Sequence, residues 1–182
     1  MHEYGLDLVD LTGRWVGFYR HRWEQLGTYA IVADLNQNGT RITGEMYDQI
    51  TEHSAYLDDY VGVIGNDIPQ ESRRRLEQIV RRFGSETVHN ARLPDTSDLR
   101  GSIKGSRFRF TKTYRGAMEI TVTVGDKLVG FFSRQNHKVR YAGELDLERM
   151  CLTGRWTIRH DGLLGWVLPP QAWGPFELYR KS

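Results

Sequence analysis

The chain reads as an all-β protein, an antiparallel up-and-down β-barrel of 8–10 strands with one inserted α-helix at about 70–83. Two observations lead there. The first is a repeat: Leu-Thr-Gly-Arg-Trp occurs as Leu11–Trp15 and again as Leu152–Trp156, and the looser pattern apolar-x-Gly-x-apolar returns as Ile42–Met46, Leu99–Ile103 and Tyr141–Leu145. In every copy the skipped positions are polar or small, so the period is two and the glycine lies on the apolar face of a half-buried strand. A glycine there lets the strand bend, and bends repeated strand after strand coil a sheet into a small closed barrel. The second observation is a series of short turn-forming links, which allow only antiparallel neighbours.

Composition narrows the function classes. At 182 residues the chain is expected to be one barrel domain, 1–182, with a helical insert at 49–97. Charged residues make up 26% and the formal net charge is +2, which gives no global case for nucleic acid or membrane binding, and no nucleic-acid partner is expected. The single cysteine, Cys151, excludes an internal disulfide framework and suits a reducing compartment. The opening MHEYGLDLVDL lacks the basic and apolar regions of a signal peptide, so a cytoplasmic address is expected. No apolar run approaches the ~20 residues that a membrane span needs.

In chain order, Leu11–Arg20 alternates as the first strand. Thr28–Asn36 follows, with Tyr29, Ile31, Ala33 and Leu35 in one phase. Asn38-Gly39 signals a hairpin into Thr40–Asp48. The barrel pattern then stops between Gln49 and Ser97, too long a stretch for a bare loop. Within it Gln70–Phe83 spaces Leu76, Ile79, Val80 and Phe83 as one helix face, with Pro69 before it and Gly84 as its C-cap. Its other faces hold Arg73, Arg74, Arg75, Arg81 and Arg82, read as a solvated basic face or as a surface for an anionic partner. From Leu99 onward come Leu99–Lys104, Ser106–Tyr114, Ala117–Val124, Lys127–Ser133, Lys138–Asp146 and Met150–His160 as tight hairpins. The apolar loop Asp161–Trp173, with Trp166 and Trp173, needs a cover, whether from this chain, a protein partner or a second copy. Gly174–Lys181 is the last strand.

With the glycine phase taken as inward, the interior polar candidates are Tyr19, Tyr29, Asp48, Lys112, Tyr114, Tyr141 and His160. Lys112 shares its face with Phe108 and Phe110, and an unpartnered buried lysine costs several kcal/mol. It either snorkels at the mouth, pairs with Asp48 or meets a bound anion. The tyrosines fit cavity lining and an ordinary core equally well. No histidine pair has metal-ligand spacing and no cofactor motif occurs, so no metal, cofactor or catalytic set is assigned.

With the strands in place, Leu11-Thr12-Gly13-Arg14-Trp15 at the start and Phe176-Glu177-Leu178-Tyr179-Arg180 at the end resemble the calycin superfamily, which includes lipocalins, avidins and fatty-acid-binding proteins. The resemblance implies a barrel around a ligand cavity, with Trp15 plugging its closed end and Arg180 packed across the indole. Gly154-Arg155-Trp156 is similar to the later Gly-x-Trp of avidins, which adds Trp156 to this structural set. The leading reading is therefore an intracellular lipocalin-like barrel that binds a small organic or anionic ligand. The alternatives are a packed interaction module working through the arginine helix and tryptophan loop, and a small-barrel enzyme using His160 with Asp48.

Overall fold

A computed structural model of the chain describes residues 9–22, 28–49, 52–56, 87–159 and 172–181, together with Arg74, Gln78, Arg81 and Arg82. Among the described residues twelve strands occur in chain order: β1 (Gly13–Arg20), β2 (Thr28–Asn38), β3 (Arg41–Asp48), β4 (Glu52–Tyr56), β5 (Thr87–Arg92), β6 (Ser97–Lys104), β7 (Arg107–Tyr114), β8 (Ala117–Val124), β9 (Lys127–Gln135), β10 (Lys138–Asp146), β11 (Cys151–Ile158) and β12 (Ala172–Arg180). Eight of them close an antiparallel barrel in the order β1-β12-β11-β10-β7-β6-β3-β2. Around that ring the chain steps from each strand to its neighbour, the up-and-down order that short links favour.

The glycine repeat builds this barrel. All ten apolar residues flanking its five glycines are at most 5% exposed. Gly143 and Gly154 face each other in register between β10 and β11. A Cβ on Gly143 would stand 1.9 Å from the Thr153 carbonyl oxygen, and one on Gly154 would stand 2.2 Å from that of Ala142. The two backbones thus approach where any side chain would hold them apart, which is what a tightly coiled sheet requires. Trp15 is fully buried, donates its indole N–H to the Leu11 carbonyl at 2.8 Å and lies opposite Arg180 across the β1–β12 seam. The Arg180 guanidinium donates to the Asp10 carbonyl at 3.2 Å and the Thr12 carbonyl at 2.9 Å, so it fastens the leader over this end of the barrel.

The remaining strands form a second sheet, β4-β5-β8-β9. Here the structure corrects the sequence reading, which counts Ala117–Val124 and Lys127–Ser133 among the barrel hairpins. Their alternation is that of barrel strands, but β8 pairs with β5 instead of a barrel neighbour. The strands Glu52–Tyr56 and Thr87–Arg92 are absent from that reading because they are too poor in apolar residues to show a period of two. The insert at 49–97 therefore holds two strands as well as helix. Only short links separate β3 from β4, β5 from β6, β7 from β8 and β9 from β10. The second sheet repeats the order of the barrel wall β3-β6-β7-β10, so each of its strands prolongs one strand of that wall. Asn136 N–H donates to the Gly116 carbonyl at 3.0 Å and Arg115 N–H to that of Thr96 at 3.0 Å, carrying the ladder across the junction.

Three smaller differences are local. The β2–β3 hairpin turns on Gly39-Thr40, with Gly39 at φ +59°, one residue later than Asn38-Gly39 suggests. The final strand begins at Ala172 rather than Gly174. Arg74, Gln78, Arg81 and Arg82 are helical and exposed, while the apolar stripe of that helix lies outside the described residues.

Candidate functional site

Strand β7 sends Phe108, Phe110, Lys112 and Tyr114 to the interior, as its alternation dictates, and all four are buried. Lys112 is 0% exposed, which rules out snorkelling at the mouth. Its ammonium donates to Asp48 Oδ2 at the end of β3. The Tyr114 hydroxyl donates to the same oxygen at 2.7 Å, and the Lys112 ammonium lies 4.4 Å from the centre of the Tyr114 ring. Of the three roles open to Lys112 from the sequence, the structure selects the pair with Asp48.

The second carboxylate oxygen of Asp48, Oδ1, is buried and accepts no hydrogen bond among the described residues. A buried carboxylate with two donors on one oxygen and none on the other leaves part of its desolvation cost unrecovered. Around it stand Tyr19 and Tyr141. Burial first, and the Asp48 charge second, push the phenol pKa of each of Tyr19, Tyr114 and Tyr141 above its ordinary value. Burial pushes the Lys112 ammonium down from its ordinary value, with Asp48 opposing the shift.

The fold thus brings five of the seven interior candidates into one electrostatic cluster: Asp48, Lys112, Tyr114, Tyr141 and Tyr19. Tyr29 joins its edge, half-buried and stacked on Tyr19 with ring centres 5.2 Å apart. His160 lies outside the described residues, and with it the pairing with Asp48 that an enzyme reading needs. Two residues were not singled out in the sequence. His137, buried between β9 and β10, stacks on Tyr114 at 5.9 Å with nearly parallel rings. Ser97 is fully buried and donates its hydroxyl to the Met46 carbonyl at 2.5 Å. Both sit at strand junctions, where alternation gives no signal.

The tryptophans divide. Trp15 is buried at the end of the barrel where Arg180 donates to the Asp10 and Thr12 carbonyls. Trp156 is buried at the opposite end, where its indole N–H donates to the Arg20 carbonyl at 2.8 Å and its ring meets Tyr19 edge-on at 5.6 Å, so it belongs to the wall of the polar cluster and not to the plug. Trp173 points outward from β12 and lies under two guanidiniums, Arg155 at 4.2 Å and Arg22 at 5.1 Å from the ring centre. Trp166, Arg73 and Arg75 lie outside the described residues. Among the described residues no three of His, Cys, Asp and Glu gather as metal ligands.

The buried phenols set an alkaline limit on stability. In the unfolded chain a tyrosine loses its proton near pH 10, whereas Tyr19, Tyr114 and Tyr141 keep theirs in the fold to higher pH. Above pH ~10 the unfolded state therefore binds fewer protons. Stability present in full below that pH is lost as pH rises, by about 1.4 kcal/mol per pH unit for each phenol. Lys112 works in the opposite direction, but only below its ordinary value of 10.5. Ultraviolet titration at about pH 11 is expected to find fewer than the nine tyrosines of the chain ionised while the fold persists, the rest appearing with cooperative unfolding. Nine independent titrations in a folded protein would refute the burial of these phenols.

No family model matches the chain, and neither a curated protein nor a solved structure matches it.

Proposed function

We propose that the chain is a calycin-like barrel that holds a small organic ligand among Asp48, Lys112, Tyr114, Tyr19 and Tyr141. The observation behind this reading is the buried Asp48 Oδ1 with no hydrogen-bond donor among the described residues. An amine, amide or hydroxyl on a ligand would supply the missing donor and recover the desolvation cost. The closed eight-stranded wall and the indole at its opposite end support the calycin-like assignment. Because Asp48 already neutralises Lys112, the cluster favours a ligand that presents a donor over one that presents an anion.

Native mass spectrometry of the purified protein tests this. The wild type is expected to retain a small molecule, and the double variant Asp48→Leu/Lys112→Met, which removes both charges together, is expected to lose it while staying folded. A wild type that carries no bound mass, or a double variant that keeps it, overturns the assignment.

A further inference from the structure

The outer face of the β6–β7–β10–β11 wall bears a pattern that chain order hides. Register sets Arg100, Thr111, Arg140 and Thr157 in one row across the four strands, and Ser102, Arg109, Ala142 and Arg155 in the next. Arginine alternates with a small residue along each row, and the rows are offset, so the two together make a checkerboard. Long side chains therefore stand around a low floor of hydroxyls and a methyl group. The result is a groove of about 490 Å³ lined by Arg100, Arg109, Arg140, Arg155 and Arg159.

Neither row holds a carboxylate. Among the described residues, the nearest acids on this face are Asp98, in the flanking row with Thr113 and Lys138, and Glu144, in the opposite flanking row with Arg107. Both are engaged elsewhere, Asp98 with Arg115 at 2.5 Å and Glu144 with Arg107 at 3.5 Å. In a chain whose formal charge is only +2, Arg100, Arg109 and Arg155 thus meet at one concavity, which Arg140 and Arg159 also line. Like charges close together on a sheet face are unfavourable, and an anion between them removes that cost. Arg155 is also oriented in advance, its guanidinium lying over the Trp173 ring. A planar guanidinium presents a fork of donors that matches phosphate oxygens two at a time, so arginine suits this anion better than lysine would.

We propose that this groove binds a small ligand bearing two or more linked phosphates, of nucleoside di- or triphosphate size. Alternate strands lie about 10 Å apart and alternate residues about 7 Å apart, so the arginines encircle a span wider than a single phosphate. The volume is that of a small-molecule site.

Calorimetric titration with inorganic phosphate, tripolyphosphate, a nucleoside triphosphate and a single-stranded oligonucleotide tests the assignment. Tripolyphosphate or the nucleoside triphosphate is expected to bind at least about tenfold more tightly than phosphate. The preference between these two identifies whether the ligand is an inorganic chain or a nucleotide. Arg100→Gln/Arg109→Gln is expected to weaken that binding at least about tenfold, and Arg109→Lys to fall between it and the wild type. Lys127→Gln, an exposed change on β9, and the interior pair Asp48→Leu/Lys112→Met are expected to leave it unchanged, so this site and the interior one fail separately. Thermal melts alongside show whether each variant is folded; the replaced arginines are exposed, and Arg109→Lys retains the test if the double variant does not fold. Binding of the polyphosphates no tighter than that of phosphate, affinity indifferent to Arg100 and Arg109, or binding only of the oligonucleotide with affinity rising with its length would each overturn the proposal.

Discussion

Trp15→Ala is expected to lower stability by about 3–5 kcal/mol in a denaturant melt. Among the described residues Trp15 heads the fully buried side chains by volume, so its removal opens a large cavity, and the surrounding strands are fixed by the ring closure and cannot collapse into it. The same change strips the Leu11 carbonyl of its donor. Arg180→Ala is expected to cost less, on the order of 1 kcal/mol, because it removes two hydrogen bonds from an exposed guanidinium and leaves no void. A Trp15→Ala protein that melts with the wild type would show that this end is held by something other than the indole.

Asp48→Ala is expected to be comparably damaging, about 3–5 kcal/mol, for an electrostatic reason. It leaves the Lys112 ammonium fully buried with no counter-charge. Asp48→Leu/Lys112→Met, which removes both charges, is expected to return to near or above wild-type stability, since two desolvation penalties vanish with the attraction. The pH dependence of the single variant follows from the lowered pKa of Lys112. With Asp48 gone nothing opposes that lowering. The folded lysine then releases its proton at a pH where the unfolded one still holds it, so the unfolded state binds more protons and stability rises with pH up to about 10.5. Chemical melts of the single and double variants at several pH values decide the matter. A double variant as unstable as the single one would mean that the pair contributes by shape and not by charge.

The barrel was legible because its signal is local. Glycine at Gly13, Gly44, Gly101, Gly143 and Gly154 marks the inward phase within a five-residue window, and on the strand that lacks such a glycine the even spacing of Phe108, Phe110 and Tyr114 turned Lys112 inward and Arg107 and Arg109 outward. The pairing of Lys112 with Asp48 could be named as one of several roles because both lie on the inward phase of strands that end near one another. The arginine groove was not legible. Its members are spread from position 100 to 159 and meet only through the register of four strands, which no single window contains. The second sheet escaped for a related reason: β8 and β9 look locally like barrel strands, and what diverts them is the pairing of β8 with the apolar-poor β5. His137 and Ser97 escaped because junction residues have no period.

The seam where β1 meets β12 sets the order of events when this chain is made. Residues 15–19 are synthesised early, yet their β12 partners, residues 176–180, emerge only after every other strand. Contacts so distant in sequence form slowly, since loop closure must come first. Until they form, one edge of β1 is an open template for pairing with other chains. The nascent barrel therefore has to rely on its sequential hairpins to persist through translation. Because β12 is paired on both sides, its absence leaves two such edges, one on β1 and one on β11.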